Sequence, residues 1–228
     1  MNRKNFIKRG LSGIGAIIGI PTVLSSCKTA SADFSISNTC QVSPQEIKGP
    51  FPIKTPADYV RENIIGDRTG VALLITIKVK NANDNCKPLV GALVDIWHCD
   101  AKGNYSEYNH QVDGDFTHKH FLRGRQTTDA NGNASFISIY PGWYPGRAPH
   151  LHLEIKSSSG ESLLVTQTAF LEDVSTLVYE TEGYTTNADT KNTRDMSFKD
   201  TLDKNLPDSL TGNTKAGYTY VKTIKVAN

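Results

Sequence analysis

Tyr140-Pro141-Gly142-Trp143-Tyr144-Pro145-Gly146-Arg147-Ala148-Pro149-His150-Leu151-His152-Leu153-Glu154-Ile155 reads as a turn that becomes a strand. Two Pro-Gly pairs punctuate its first half, where proline pre-sets one backbone angle and glycine accepts the conformation that closes a turn. From His150 onward, polar and aliphatic residues alternate. Successive side chains of a strand point to opposite faces, so His150 and His152 share one face while Leu151, Leu153 and Ile155 fill a core on the other. The phenol of Tyr144 and the guanidinium of Arg147 stand just upstream. Two imidazoles on one rigid face are half a metal site; a turn tyrosine beside surface histidines is the bland alternative.

The chain around this stretch is rich in short strands. Residues 71–79 alternate Leu73, Ile75, Ile77 and Val79 with Thr76 and Lys78, the pattern of a half-buried strand. Further strands are expected at 92–97, 134–140, 150–156, 163–170 and 218–226, with one short helix near 195–206. Residues 100–126 form a long polar connection without periodicity, a length that usually marks a functional loop. Strands separated by Gly/Pro turns at this spacing indicate an all-β fold, an antiparallel β-sandwich with long loops and at most short helices. At 228 residues, 38% of them hydrophobic, one domain with a proper core is the natural reading. A formal net charge of +2, with no basic cluster beyond the N-terminus, excludes a nucleic-acid partner.

Residues 1–27 read as an export signal. Arg3, Lys4, Lys8 and Arg9 precede a short apolar run from Leu11 to Leu24, too short to span a bilayer permanently. The run ends in Leu24-Ser25-Ser26-Cys27, which resembles a bacterial lipobox and implies acylation of Cys27 and a lipid-anchored protein of the cell envelope, periplasmic or surface-exposed. A plain signal peptide is the alternative. The N-terminus also resembles a twin-arginine signal, with Lys4 where the second arginine would stand. Residues 28–39 are a polar tether, and 40–228 the folded domain.

With Cys27 set aside, Cys40, Cys86 and Cys99 remain, enough for one disulfide and one free thiol in an oxidising envelope. Cys86 and Cys99 flank the strand at 92–97, which would hold them farther apart than the ~7 Å that a disulfide tolerates. The expected bond therefore involves Cys40.

The partners of His150 and His152 decide the metal. Zinc would want cysteine or carboxylate nearby, and only Glu154 follows on the strand. The other oxygen donors are the phenols of Tyr144 and of Tyr105, at the start of the long loop. Phenolates are hard anions that favour a trivalent ion, pointing to Fe(III). His118 and His120 repeat the two-residue spacing but lie in the polar loop without an apolar strand, so they read as solvated; His98 and His110 read as structural or cleft-lining.

Three segments in order, 95–106 (Asp95-Ile-Trp-His-Cys-Asp-Ala-Lys-Gly-Asn-Tyr105-Ser), 121–129 (Phe121-Leu-Arg-Gly-Arg-Gln-Thr-Thr-Asp) and 140–152, resemble the intradiol ring-cleavage dioxygenases. The pattern is most similar to protocatechuate 3,4-dioxygenase β-chain-like proteins, notably their exported branch, and runs from about Cys40 to Phe170. The resemblance implies a ferric centre held by Tyr105, Tyr144, His150 and His152, with Tyr144 and His150 axial and Tyr105 and His152 equatorial. Arg147 and Gln167 match an arginine and a glutamine that support those ligands. It implies an enzyme that takes a catechol and O2, releases Tyr144 when the catechol binds, and opens the ring between the hydroxylated carbons to a cis,cis-muconate-type diacid. Two positions depart from the family: Gly146 stands where a tryptophan is usual, and Phe51 where tyrosine often follows Gly-Pro. Both leave the identity of the catechol open, and a homo-oligomer is admitted but not specified. The competing readings are a non-catalytic transthyretin-like β-sandwich binding lipoprotein and a zinc hydrolase using the same histidines.

Overall fold

In the computed structural model, residues 40–228 are described; Cys27, the export signal and the polar tether lie outside the described residues. Two sheets face each other. The first is built on β1 (Ala72–Asn81), which pairs antiparallel with β2 (Lys87–Pro88) and with β5 (Asn133–Ile139), and on its other edge with β9 (Gly217–Val226), itself flanked by β8 (Ser209–Asn213). The second runs β4 (Arg123–Thr127), β3 (Leu93–Trp97), β6 (His150–Lys156), β7 (Ser162–Ala169). Alternation decides what meets between them: Leu73, Ile75, Ile77 and Val79 of β1 and Phe136 of β5 share one core with Val94 and Ile96 of β3 and Leu151, Leu153 and Ile155 of β6.

The all-β sandwich expected from the pattern is present, and its strand boundaries fall within a few residues of those expected. One pairing departs from the antiparallel rule: β1 and β9 run parallel over nine positions, from Leu73–Tyr218 to Asn81–Val226. The supposed long loop 100–126 ends in a strand, β4. It lacked an apolar signature because its inward position is Gly124, where a Cβ would lie 2.4 Å from Ile64, and because its arginines are taken up by polar partners: buried Arg123 donates to Ser106 and the Phe51 carbonyl, and half-buried Arg125 pairs with Asp95. Edge strand β8, Ser-Leu-Thr-Gly-Asn, is equally silent in hydrophobicity. The helix expected at 195–206 contracts to α2 (Leu202–Asn205), since Asp195 is held in extended backbone by its buried contacts; the longer helix is α1 (Glu172–Tyr179), disguised by Val174, Thr176 and Val178.

Cys40 bonds to Cys86, with Cα atoms 5.6 Å apart, and Cys99 is a buried free thiol. From that bond, residues 43–51 run as a strap from β9 of the first sheet onto β7, the edge strand of the second. Ser43 N–H donates to Lys225 O (2.9 Å) and Glu46 N–H to Val165 O (2.9 Å), and Lys48 pairs with Glu154 (2.9 Å). The strap ends over the outer face of that sheet, away from the sandwich core.

Candidate metal centre

On that outer face the register aligns one residue from each strand. Trp97 of β3 is opposite Arg123 of β4 and His152 of β6, and His152 is opposite Gln167 of β7. The row Arg123–Trp97–His152–Gln167 is thus fixed by backbone pairing, before any loop contributes. His150 sits two residues along β6 on the same face, and both imidazoles are buried, as the alternation requires.

The phenols come from two loops that interlock through glycine. Gly103 and Gly142 lie where the backbones touch: a Cβ on Gly103 would be 2.3 Å from Trp143 O, and one on Gly142 would be 2.5 Å from Ala101 O. Gly142 N–H donates to Asp100 O (3.0 Å) across the contact. Only a residue without a side chain permits this approach, and its consequence is that Tyr105 and Tyr144 meet, ring centroids 5.7 Å apart.

Four donor atoms converge. His150 Nε2 is 3.1 Å from His152 Nε2, 3.3 Å from the Tyr105 hydroxyl and 3.5 Å from the Tyr144 hydroxyl. The Ala148 carbonyl lies 2.6 Å from His150 Nδ1, which fixes the proton there and leaves the Nε2 lone pair directed at the other three donors. For metal–ligand bonds of roughly 2.0–2.2 Å, adjacent donors around an ion lie about 3.0–3.5 Å apart, so these residues fit a single bound cation.

Electrostatics point the same way. Burial, reinforced by the Arg147 charge, pushes His150 down to about 3, and burial with the neighbouring His150 and Arg147 holds His152 well below the imidazole range. Both rings are neutral, as ligands must be. Burial raises Tyr105 well above the usual phenol range, with Cys99 and Tyr144 adding to it, and raises Tyr144 too, where Arg147 works in the opposite direction. Without a cation the two phenols keep their protons; a metal must displace them.

Around the donors stands a second ring of contacts. The Trp97 indole stacks on His152, and Gly49 of the strap brings its backbone so close that a Cβ would be 2.8 Å from His152 Cε1. Phe51 covers Tyr105 at 4.8 Å between centroids and lies 6.3 Å from Tyr144. Arg147 reaches three ways: Nη1 donates to the Tyr144 hydroxyl (3.2 Å), Nη2 to Gln167 Oε1 (2.6 Å) and Nε to Asp195 Oδ2 (2.8 Å). Gln167 Nε2 in turn donates to Ile47 O (2.7 Å) on the strap. Asp195 is fully buried; its two oxygens also accept the N–H groups of Ala148 (2.7 Å) and Ser197 (2.9 Å). Sequence reasoning missed Asp195. A buried arginine needs a carboxylate, and that rule could have prompted a search for one, but nothing in the order of residues says which.

The structure brings together Tyr105, Tyr144, His150, His152, Arg147 and Gln167. It leaves the other histidines apart. His98 is buried between the Cys99 carbonyl (2.8 Å) and Ser138 Oγ (2.7 Å), a structural role. His118 and His110 are exposed, and His120 contacts the Tyr59 hydroxyl (2.8 Å) at the rim. Gly146 is exposed, with open space where a Cβ would be.

Residues 47–182, more than half of the chain, match the family model described as Dioxygenase. The protocatechuate 3,4-dioxygenase beta chain of Burkholderia cepacia is 32% identical over 115 residues, covering 47% of this chain and 48% of that protein. Catechol 1,2-dioxygenase of Candida albicans is 27% identical over 172 residues, covering 66% of this chain and 52% of the relative. The chain spans about half the length of these curated relatives. Among solved structures, an intradiol ring-cleavage dioxygenase from Tetranychus urticae superposes with a TM-score of 0.72 at 28% identity, covering 82% of this chain and 95% of the other. The dioxygenase domain of a dioxygenase carbohydrate-binding protein fusion from Streptomyces sp. SirexAA-E gives 0.60 at 26% identity, covering 82% and 99%.

Proposed function

The chain belongs to the intradiol ring-cleavage dioxygenase family, and from that premise we propose that it is a non-haem Fe(III) enzyme cleaving a catechol-type substrate with O2. The product is a cis,cis-muconate-type diacid carrying both oxygen atoms. The observation that carries this reading is the gathering of two phenol oxygens and the His152 Nε2 within 3.1–3.5 Å of His150 Nε2. Two phenolates supply two negative charges, which suits a trivalent ion better than zinc. Tyr105, Tyr144, His150 and His152 would hold ferric iron, which would supply a Lewis acid that draws electron density from a catechol and makes its ring reactive towards O2.

The residues then divide by role. Tyr105, His150 and His152 are held by buried contacts on their far sides and are suited to stay. Tyr144 is partly exposed at the end of a turn and is the ligand suited to leave. Its phenolate oxygen accepts one of the catechol protons, a transfer that a metal-bound phenolate can make near neutral pH. Arg147 Nη1, 3.2 Å from that oxygen, holds it in reach and presents positive charge to the site. Gln167 locks the opposite edge of the guanidinium, and Phe51 over Tyr105 excludes water from the ligand.

We further propose that the protein is lipid-anchored at Cys27 in a bacterial cell envelope, which the lipobox-like Leu24-Ser25-Ser26-Cys27 supports. The test of the activity is oxygen uptake by iron-loaded protein on catechol, protocatechuate and hydroxyquinol, with products followed in the ultraviolet. Uptake coupled to a muconate-type product supports the reading. Iron-loaded protein that turns over none of them, or opens the ring beside the hydroxyls, contradicts it.

A further inference from the structure

Away from the metal centre, a cleft of about 470 Å³ opens where the described chain begins, lined by residues 41–44 and by Lys80, Lys204, Asp208, Lys222, Thr223 and Lys225. Four lysines face one carboxylate, and that carboxylate is engaged: Asp208 Oδ2 accepts from Thr223 Oγ1 (2.6 Å). Lys222 is buried, with its ammonium donating to the carbonyls of Lys204 and Leu206 (2.6 Å each) and to no anion. Burial, the dominant influence, pulls its ammonium below the usual lysine range. Among the described residues, the ammonium groups of Lys80, Lys204 and Lys225 make no ion pair. In a chain of net charge only +2, so many lysines at one cleft are a local excess of positive charge.

The location gives that charge a partner. The chain enters the domain beside it: Ser43 N–H donates to Lys225 O and Lys225 N–H to Ser43 Oγ, both at 2.9 Å. Residues 28–39 connect Cys27 to Cys40 and, even fully extended, reach no farther than about 47 Å. We infer that the lysine-lined cleft is a docking surface for anionic phospholipid headgroups, seating the domain on the membrane to which Cys27 tethers it. The inference rests on the lipid-anchor reading. A short tether raises the effective concentration of the surface, so contacts that give the free protein a measurable but modest preference for an anionic bilayer hold the anchored one against it. The strap carries the contact toward the site: the segment lining the cleft continues through Glu46 and Ile47 to Gly49 against His152.

The experiment uses the processed chain from residue 27 with Cys27→Ser, so that no lipid masks the surface. Its sedimentation is compared with vesicles of phosphatidylcholine alone and of phosphatidylcholine mixed with phosphatidylglycerol. The same chain also carries K80E and K225E, both partly exposed positions outside the metal centre. Each lysine near an anionic surface strengthens partitioning about fivefold, so reversing two charges is expected to weaken binding to the mixed vesicles by at least about 25-fold. Added salt is expected to weaken the parent similarly, while iron content and oxygen uptake of the double variant stay at the parent's level. Equal binding to both vesicle types, or no loss in the double variant, overturns the inference. Displacement from the vesicles by inorganic phosphate at low concentration overturns it in favour of a soluble phosphate ligand. Mass analysis of the wild-type N-terminus separates the two failures. An acylated Cys27 with no vesicle preference sinks the cleft's role alone, whereas an unmodified Cys27 sinks the anchor on which it rests.

Discussion

Trp97 and His152 lie face to face across β3 and β6, their rings 1° from parallel with centroids 5.0 Å apart. No hydrogen bond from its second nitrogen orients His152: its Nδ1 is buried without a partner among the described residues. Most metal-binding histidines are aimed by a hydrogen bond from the second nitrogen; here the stacked Trp97 ring and the Gly49 backbone against the Cε1 edge take that part. Replacing Trp97 with phenylalanine keeps a ring but shrinks it, and the expected effect is a loss of iron affinity of about tenfold. Trp97→Ala adds a cavity costing about 3–5 kcal/mol of stability. Competition with a chelator measures the first and thermal melting the second; unchanged iron affinity in both would remove the stack from the account.

Asp195 is the counter-charge for Arg147, and it lies outside the segment matched by the family model. Asp195→Asn keeps the shape and removes the charge. A buried pair that loses one partner typically costs about 3–5 kcal/mol, because the other charge stays buried. Beyond lower thermal stability, we predict a fall in kcat larger than any change in KM, with a shifted visible band as Arg147 releases Tyr144. A variant that is destabilised but spectroscopically and kinetically normal would reduce Asp195 to a structural anchor.

The disulfide holds the start of the strap whose Ile47, Gly49 and Phe51 touch the site. The sequence separation of 46 corresponds to about 4 kcal/mol of loop-closure entropy. The double variant Cys40→Ser, Cys86→Ser is therefore expected to unfold at markedly lower denaturant and to release iron faster. Iron release at the wild-type rate would show that the strap holds without the bond.

These contacts also show where legibility in the sequence ended. The His-x-His alternation and the inward leucines and isoleucines were readable, because a strand's period of two is written directly into residue order. Tyr105 and Tyr144 could be named, but not their meeting, which depends on two glycines fitting backbone against backbone. Strand β4 was hidden because Arg123 is buried and Arg125 half-buried by distant partners, and Asp195 because its partner stands 48 residues earlier. The disulfide could be narrowed to a bond of Cys40 by the length of one strand, and the geometry supplied Cys86. What local chemistry dictates was visible; what two remote segments decide together was not.

Two pH dependences follow, of the same sign but different origin. His98 is buried and neutral, held down to about 4 by desolvation against an ordinary value of 6.5. Between those values the unfolded chain binds the extra proton, so this stability is complete above about pH 6.5 and is lost as pH falls toward 4, roughly 3 kcal/mol in all. His98→Gln should flatten that part of the stability curve. Iron binding runs through the phenols instead. Burial keeps Tyr105 and Tyr144 protonated in the metal-free protein, so iron uptake must release their protons, and apparent affinity is expected to rise with pH across the neutral range. Proton release measured in weak buffer during iron addition checks this; uptake without proton release would mean that the phenols are not ligands.

The central claim is a ferric ion held by two phenolates and two imidazoles, and the most direct measurement is metal content combined with the visible spectrum of the purified protein. The account predicts stoichiometric iron and a red-brown colour from tyrosinate-to-iron charge transfer. The band should shift in Tyr105→Phe, and iron should be lost in His150→Ala and His152→Ala. Stoichiometric zinc in a colourless protein, or near-normal iron in either histidine variant, would contradict it.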